Sequence, residues 1–184
     1  MIAASSTLTE VAYEVCTALG RAGFTAVLTG GSAATFYAPE AYLSDDLDFV
    51  LALRGTNGES ALRQLGYERR GDFYLHASSR FLLEFPPGPL AVGDELVRTW
   101  STHRHRGKVL HVLTPTDSCR DRLASFLFWN DFRGLEQALH VYRAQRRKVD
   151  LGSINAWCTR ERQPDKFELF EHRLRARSRG RKGR

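Results

Sequence analysis

The sequence predicts an α+β fold, in which a small mixed sheet flanked by helices is followed by a helical C-terminal half. Short apolar runs that suit buried strands alternate with helical patterns up to residue 114. From Pro115 onward the pattern is helical. A Gly-Gly-Ser turn at residues 30–32 connects an apolar run to a short helical segment. These observations divide the chain into an α/β core (1–114), a helical subdomain (115–171) and a basic tail (172–184).

The individual elements follow from the spacing of apolar residues and from Gly and Pro, which end helices and strands. In the first helix, Leu8, Val11 and Val15 share one stripe, and Gly20 and Gly23 lie near its end. The predicted helices of the α/β half are 7–22, 33–37 and 57–65. The predicted strands are 24–28, 47–53, 73–76, 80–85 and 109–113, of which 73–76 and 80–85 form a hairpin.

In the second half, helical spacing predicts helices at 117–129, 135–143, 151–160 and 165–175. The aromatic residues of these helices are interpreted as core residues rather than as residues that stack on bases; they are Phe126, Phe128, Trp129 and Trp157. Asp121 and Glu136 are interpreted as solvated. The His-Arg-His-Arg sequence at 103–106 is interpreted as an exposed basic turn, because the arginines would repel a bound cation.

Composition and charge limit the class of protein. No apolar run approaches the roughly 18 residues that a membrane helix needs, and the first residues lack a secretory pattern. Three widely spaced cysteines argue against a disulfide framework and for a reducing compartment, so a cytoplasmic location is expected. The 42% hydrophobic content is enough for a buried core.

The positive charge is concentrated at the C-terminal end. Residues 172–184 contain six Arg and one Lys without an acid, whereas the other 171 residues hold 20 basic and 21 acidic side chains. Such a block is expected to be disordered and suits a polyanion such as RNA. The alternative is a solubilising tail that binds nothing specific.

Two carboxylates mark the candidate site. If Leu47 begins a buried strand, Asp46 and Asp48 project from the same face, because side chains alternate along a strand. Adjacent carboxylates repel each other, which favours a bound cation, and Mg²⁺ prefers carboxylates together with substrate phosphates. The alternative is an acidic turn, but the apolar neighbours from Leu47 to Leu51 favour burial.

Two further features accompany the Asp-x-Asp pair. Glycines at 30 and 31 would let the backbone approach a phosphate, and Ser32 adds a donor or a helix cap. Glu84 is the acid of an otherwise apolar strand and is the candidate third ligand for a second metal. Taken alone, Gly-Gly-Ser is also a common turn, and Glu84 is also a common type of strand-end charge.

Together these features resemble a known family. Gly-Gly-Ser at 30–32, followed after thirteen residues by Asp-Leu-Asp-Phe at 46–49, is similar to the signature of the polymerase-β-type nucleotidyltransferase superfamily. The Thr-Gly-Gly-Ser-Ala-Ala version and the small size resemble its bacterial branch with the AbiEii and MenT toxins of toxin–antitoxin systems. The resemblance implies a nucleotidyltransferase fold that binds a nucleoside triphosphate with Mg²⁺. Its specific part is the stretch 28–50.

The resemblance also implies roles for individual residues. The loop residues Gly30, Gly31 and Ser32 would contact the triphosphate. The Asp46 and Asp48 carboxylates would bind Mg²⁺, and Glu84 would stand where the family has its third carboxylate.

The helical half matches the family less closely. Those toxins carry a lysine after a Pro-containing turn, where this chain has Arg120 and Arg122. Arg122 is the better match and is predicted to contact the nucleotide, although Arg and Lys are not equivalent at a phosphate. A later Asp-Leu pair corresponds to Asp150-Leu151, with Asn130-Asp131 as the alternative alignment. Asp150 is therefore predicted to bind the nucleotide.

The leading functional prediction is an Mg²⁺-dependent nucleotidyltransferase that moves a nucleoside monophosphate from a nucleoside triphosphate to RNA. The toxin resemblance implies the tRNA 3′ end as acceptor and a cognate antitoxin or toxin protein as partner. An alternative enzyme would modify a partner protein, as an antitoxin, or a small drug. A third possibility is a catalytically silent module of the same fold that binds RNA or a protein partner.

Overall fold

A computed structural model describes residues 2–179, with side chains to residue 176. It confirms the α+β prediction, because a mixed seven-stranded sheet is followed by four helices. The helices are α1 (Leu8–Arg21), α2 (Gly30–Tyr37), α3 (Gly58–Gln64), α4 (Pro115–Trp129), α5 (Phe132–Ala144), α6 (Leu151–Arg160) and α7 (Pro164–Arg179). The strands are β1 (Thr25–Leu28), β2 (Asp46–Leu53), β3 (Tyr67–Arg70), β4 (Phe73–His76), β5 (Leu82–Glu84), β6 (Ala91–Val92), β7 (Glu95–Leu96), β8 (Ser101–His105) and β9 (Lys108–Val112).

The large sheet has the strand order β3-β4-β5-β2-β1-β9-β8, and β6 and β7 form a separate two-stranded ribbon. Strand β2 lies at the centre, antiparallel to β1 and parallel to β5. Strand β9 is parallel to β1, whereas the β3–β4, β4–β5 and β8–β9 pairs are antiparallel. The mixed sheet therefore brings β5, which follows β2 by about thirty residues of chain, directly beside it.

The two faces of the sheet are packed differently. The back face carries Leu28, Phe49 and Leu83, which belong to the main core shared with the helices. The front face, at β1 and β2, carries a smaller cluster in which Val27 and Val50 contact Leu90. Residues of α1, α4, α5, α6 and α7 all contribute to the main core, so the α/β half and the helical half pack on one core.

The predicted elements agree with the structure to within a few residues, and three features differ. Strand β3 and the β6–β7 ribbon were not predicted. The predicted basic turn at 103–106 is wrong, because Ser101–His105 pairs with β9 as strand β8 and only Arg106 and Gly107 form the turn. His103 packs edge-on against Phe36 at 5.0 Å between ring centroids.

The aromatic residues of the helical half fall into two groups. Trp157 and Phe126 are buried, as predicted, but Phe128 and Trp129 are 40% and 74% exposed. The buried stripe of α4 contains Leu123, Phe126 and Leu127, and Phe128 and Trp129 lie outside this stripe on the exposed side of the helix.

The basic segment is more ordered than predicted. Helix α7 continues to Arg179, so the prediction of disorder is wrong for 172–179, and residues 180–184 lie outside the described part of the chain. Leu174 packs against the core, and Arg173 pairs with Glu136 at 2.8 Å. Part of the positive charge is therefore neutralised within the fold. Among the described residues, no helix is long and apolar enough to cross a membrane.

Candidate active site

Strand β2 places two carboxylates on the front of the sheet. Leu47 and Phe49 are fully buried on the back, and alternation turns Asp46 and Asp48 to the front, where both are half-buried. The burial of the apolar residues therefore sets the direction of the acidic ones. The predicted shared face of Asp46 and Asp48 is confirmed.

The third carboxylate comes from β5 through its register. Strand β5 runs parallel to β2 with Asp46 opposite Leu82 and Asp48 opposite Glu84. One carboxylate oxygen from each of Asp46, Asp48 and Glu84 lies within 4.8 Å of the others. The three acids that the sequence singled out thus form one group, which we call the carboxylate triad.

Hydroxyl groups connect the triad to the glycine loop. The Ser44 hydroxyl donates to Asp46 Oδ1 at 2.6 Å. The buried Ser32 hydroxyl accepts from the Asp48 backbone N–H at 3.1 Å and donates to the Thr29 carbonyl at 2.8 Å. The Thr29 N–H donates to the Asp48 carbonyl at 2.9 Å. These bonds hold the start of α2 against β2, and they occupy the Ser32 hydroxyl within the protein.

Gly30 is required where α2 meets the triad. Its φ is +62°, a conformation that costs other residues free energy, and a Cβ at this position would collide with Asp48 Oδ2. The Thr29 side chain makes no capping hydrogen bond to α2. The first N–H groups of α2 therefore start beside the carboxylates without a side-chain cap, which is the arrangement that suits a phosphate.

The triad is electrostatically unfavourable in the absence of a cation. Burial, together with the charges of Asp46 and Glu84, raises the pKa of Asp48 to about 7. Burial and the charge of Asp46 also raise the pKa of Glu84. Among the described residues, the Arg122 guanidinium is the cation that lowers the pKa of Asp48, and its effect is smaller.

The donor set fits a magnesium ion. Mg²⁺ prefers oxygen ligands, takes one or two carboxylates and keeps room for substrate phosphates. A divalent cation would also offset the repulsion that raises the pKa of Asp48. Asp46 and Asp48 are therefore the residues that would hold it, and Glu84 completes the group from the neighbouring strand.

Arg122 of α4 lies near the triad but has partners of its own. Its guanidinium donates to Asp121 Oδ2 at 2.8 Å and to Gln137 Oε1 at 3.3 Å. Both Asp121 and Arg122 contribute to the electrostatics of Asp48. The interpretation of Asp121 as a solvated acid is wrong, because its side chain is only 21% exposed. The contact of Arg122 with a nucleotide remains a prediction.

Asp150 and Arg120 have structural partners. Asp150 caps α6 by accepting from the backbone N–H and the hydroxyl of Ser153, at 3.1 and 2.7 Å. Arg120 pairs with Asp117 and Glu95 and lies over the Trp157 ring. Asp150 is not part of the triad, and its predicted contact with the nucleotide remains a prediction.

Sequence reasoning missed the residues that support the triad. Ser44 and Thr29 were visible as hydroxyl residues next to the two motifs, but no pattern assigns them a partner. Asp121 was visible only as an acid on a helix. Their roles depend on the packing of β2 against α2 and α4, which a local pattern does not report.

Solved structures of one antibiotic-resistance factor are similar to this chain over most of its length. No protein family model and no curated protein matches the chain. A solution structure of the antibiotic-resistance factor ANT(2″)-Ia is 14% identical, with a TM-score of 0.48 over 95% of this chain and 94% of the other. A crystal structure of ANT(2″)-Ia in complex with adenylyl-2″-tobramycin is 15% identical, with a TM-score of 0.43 over 93% of this chain and 98% of the other.

Proposed function

We propose that this chain is an Mg²⁺-dependent nucleotidyltransferase that moves a nucleoside monophosphate from a nucleoside triphosphate to a hydroxyl acceptor. The observation that carries the proposal is the carboxylate triad beside the start of α2. A repulsive group of acids next to uncapped backbone N–H groups suits a substrate that brings both phosphates and a divalent cation. The resemblance of residues 28–50 to polymerase-β-type nucleotidyltransferases points to the same chemistry.

In the proposed reaction the acceptor oxygen forms a bond to the α-phosphorus of the nucleotide. The bond from that phosphorus to the bridging oxygen breaks, and pyrophosphate leaves with the electron pair. The Glu84 carboxylate, whose pKa is raised by burial and by Asp46, accepts the proton of the acceptor hydroxyl. The backbone at Gly30 and Gly31 holds the phosphates that leave.

Asp46 and Asp48 would hold Mg²⁺, and Ser44 orients the Asp46 carboxylate. When bound, Mg²⁺ neutralises the charge of the triphosphate and orients it, which is the larger part of catalysis in phosphoryl transfer. The Ser32 hydroxyl keeps Asp48 in register with α2. The contributions of Arg122 and Asp150 to nucleotide binding belong to the same proposal.

The acceptor in this proposal is RNA, with the tRNA 3′ end as the first candidate and a toxin–antitoxin role as the biological setting. The basic C-terminal segment supports RNA, because cations that neutralise phosphates release counterions. A truncation after Arg179 leaves the contacts of Arg173 and Leu174 in place. It is expected to weaken RNA binding and flatten its salt dependence without lowering Tm. Equal salt slopes for the two chains would remove this support for an RNA acceptor.

The activity is tested by incubating the full chain with Mg²⁺, each labelled nucleoside triphosphate and total tRNA, and by following label incorporation. A thermal shift with nucleotide plus Mg²⁺ that exceeds the shift with either alone is also expected. Asp48→Asn should abolish transfer, whereas Asp45→Asn is the matched control, because Asp45 is exposed and outside the triad. Wild-type transfer by Asp48→Asn would contradict the proposal.

A catalytically silent binding module of the same fold is the second candidate. The observation that favours it is the ion pair of Arg122 with Asp121. Because Arg122 is the residue predicted to contact the phosphates, this pair leaves it less available to a nucleotide. Such a module would bind RNA with no response to Mg²⁺ and nucleotide. The thermal shift therefore separates the two candidates before any acceptor is known.

A further inference from the structure

The front of the sheet continues from the triad onto an open surface. Phe73 and Leu75 of β4 are 41% and 47% exposed, although both are apolar and lie in a sheet of seven strands. At β1 and β2, by contrast, Leu90 and its neighbours cover the front face. We call Phe73 and Leu75 the apolar shelf.

The strand register places the shelf in line with the triad. Asp48 is opposite Glu84, Glu84 is opposite Phe73, and Phe73 is opposite Arg70. Residues that are opposite each other on paired strands share a face, so this row crosses the front of the sheet. Strands are about 4.8 Å apart, which puts Phe73 one strand from Glu84 and two strands, roughly 10 Å, from Asp48.

The direction of the reaction tells which substrate faces the shelf. In phosphoryl transfer the attacking and leaving oxygens lie on opposite sides of the phosphorus. The start of α2 approaches Asp48 from the β1 side. Because the backbone at the start of α2 is proposed to bind the leaving phosphates, pyrophosphate is expected to leave toward this side. The shelf lies on the opposite side, beyond Glu84. In the proposed reaction the acceptor would therefore arrive from the side of the shelf.

The geometry points to a specific occupant, and this inference rests on the proposed function: the apolar shelf binds the base of the terminal nucleoside of a single-stranded RNA acceptor. An exposed aromatic ring near a basic side chain is the usual platform for an unpaired base. Arg70, whose side chain is 70% exposed, ends the row and offers a cation to the acceptor's phosphate. Arg70 forms an exposed ion pair with Glu68 at 3.2 Å. Because an exposed ion pair contributes little free energy, Arg70 can leave Glu68 and bind a phosphate at low cost. A polycationic acceptor would instead meet a like charge at Arg70.

The test uses short single-stranded oligoribonucleotides that end either in a normal nucleoside or in an abasic residue with a free hydroxyl. Full-length protein, Mg²⁺ and labelled nucleoside triphosphate are used throughout. The wild type should show an acceptor KM about tenfold or more lower for the normal end. In Phe73→Ala this preference should disappear, while the KM for the nucleoside triphosphate stays unchanged.

Two variants and one control separate stacking from folding. Phe73→Leu keeps an apolar side chain but should lose the preference for the normal end over the abasic end. Phe73→Trp keeps an aromatic ring and should show this preference, as the wild type does. Leu53→Ala is the matched control, since Leu53 is 60% exposed at the far end of β2 and lies outside this row. It should keep the wild-type preference.

The outcomes distinguish the two proposals. If the wild type transfers to RNA but Phe73→Ala keeps the preference, or Phe73→Trp does not restore it, the shelf proposal is wrong and the proposed activity stands. If Phe73→Ala changes the KM for the nucleoside triphosphate instead, the shelf holds the other base and the assignment is wrong. If no RNA accepts label and a protein does, both the RNA acceptor and the shelf are overturned.

Discussion

The carboxylate strands and the helical half use their charged residues in different ways. Asp46, Asp48 and Glu84 face each other without an ion pair to any side chain described in residues 2–176, and the pKa values of Asp48 and Glu84 are raised. In the helical half, by contrast, Arg122 pairs with Asp121 and Asp150 caps a helix. A group of like charges that repel each other in the folded protein indicates a ligand that relieves the repulsion. Charges that are already paired within the protein are explained by their contribution to the structure.

The first prediction compares two members of the triad. Asp46→Asn should lower transfer by about 1000-fold and abolish the combined thermal shift with Mg²⁺ and nucleotide, because it removes a proposed metal ligand. Glu84→Gln should lower transfer by about 100-fold through loss of the proton acceptor but keep most of the thermal shift. Single-turnover transfer and thermal denaturation measure the two effects. If both variants lost the thermal shift equally, the assignment of Asp46 as metal ligand and Glu84 as proton acceptor would be refuted.

The second prediction concerns the pH dependence of stability in the metal-free protein. The pKa of Asp48 is about 7 in the folded state and 3.8 for a free carboxyl, so the folded state keeps a proton that the unfolded state releases. Stability is therefore lost as pH rises from about 4 to 7 and is constant above that range. Asp48→Asn removes the charge and should be more stable than the wild type by roughly 2 kcal/mol at pH 8, with no difference near pH 4.

Urea denaturation in EDTA at both pH values checks this prediction, with Asp45→Asn as the control. Added Mg²⁺ should narrow the difference at pH 8, because it stabilises the wild type more than the variant. A stability difference that is the same at pH 4 and pH 8 would assign the effect to packing rather than to ionisation.

The third prediction concerns the contact between α2 and β2. Gly30→Ala places a Cβ at positive φ and against Asp48, and should cost about 1–2 kcal/mol of stability and lower transfer about tenfold. Gly71→Ala is the matched control, since Gly71 also has positive φ but a Cβ there meets nothing within 4 Å. If both variants lose stability and activity equally, strain alone is responsible and the approach to Asp48 has no role.

The fourth and smallest effect separates the two interpretations of Asp150. If Asp150 acts only as a helix cap, Asp150→Ala should cost about 1 kcal/mol of stability. Asp150→Asn should keep the wild-type stability, because Asn is also a good N-cap. Neither variant should change the KM for the nucleoside triphosphate. A raised KM in Asp150→Asn, with normal stability, would support the predicted nucleotide contact.

Local pattern was sufficient for much of the site. Asp46 and Asp48 share a face because the strand alternates, and the apolar neighbours Leu47 and Phe49 decide which face is buried. Ser32 was within a recognised motif and Ser44 was next to one, but their bonding partners were not predictable. A hydroxyl has many possible partners, and only the packing of α2 on β2 selects one.

The sequence by itself determined the α+β order, the helices of the second half and the alternation of the Asp-x-Asp strand, because these depend on neighbours a few residues apart. The tertiary structure decided that β5 pairs parallel to β2, which brings Glu84 beside Asp48 and leaves Phe73 next in the row. It also decided that residues 172–179 are helical, since Leu174 finds a core to pack against. Strand order and helix docking depend on contacts between distant segments, and a one-dimensional pattern carries no record of these contacts.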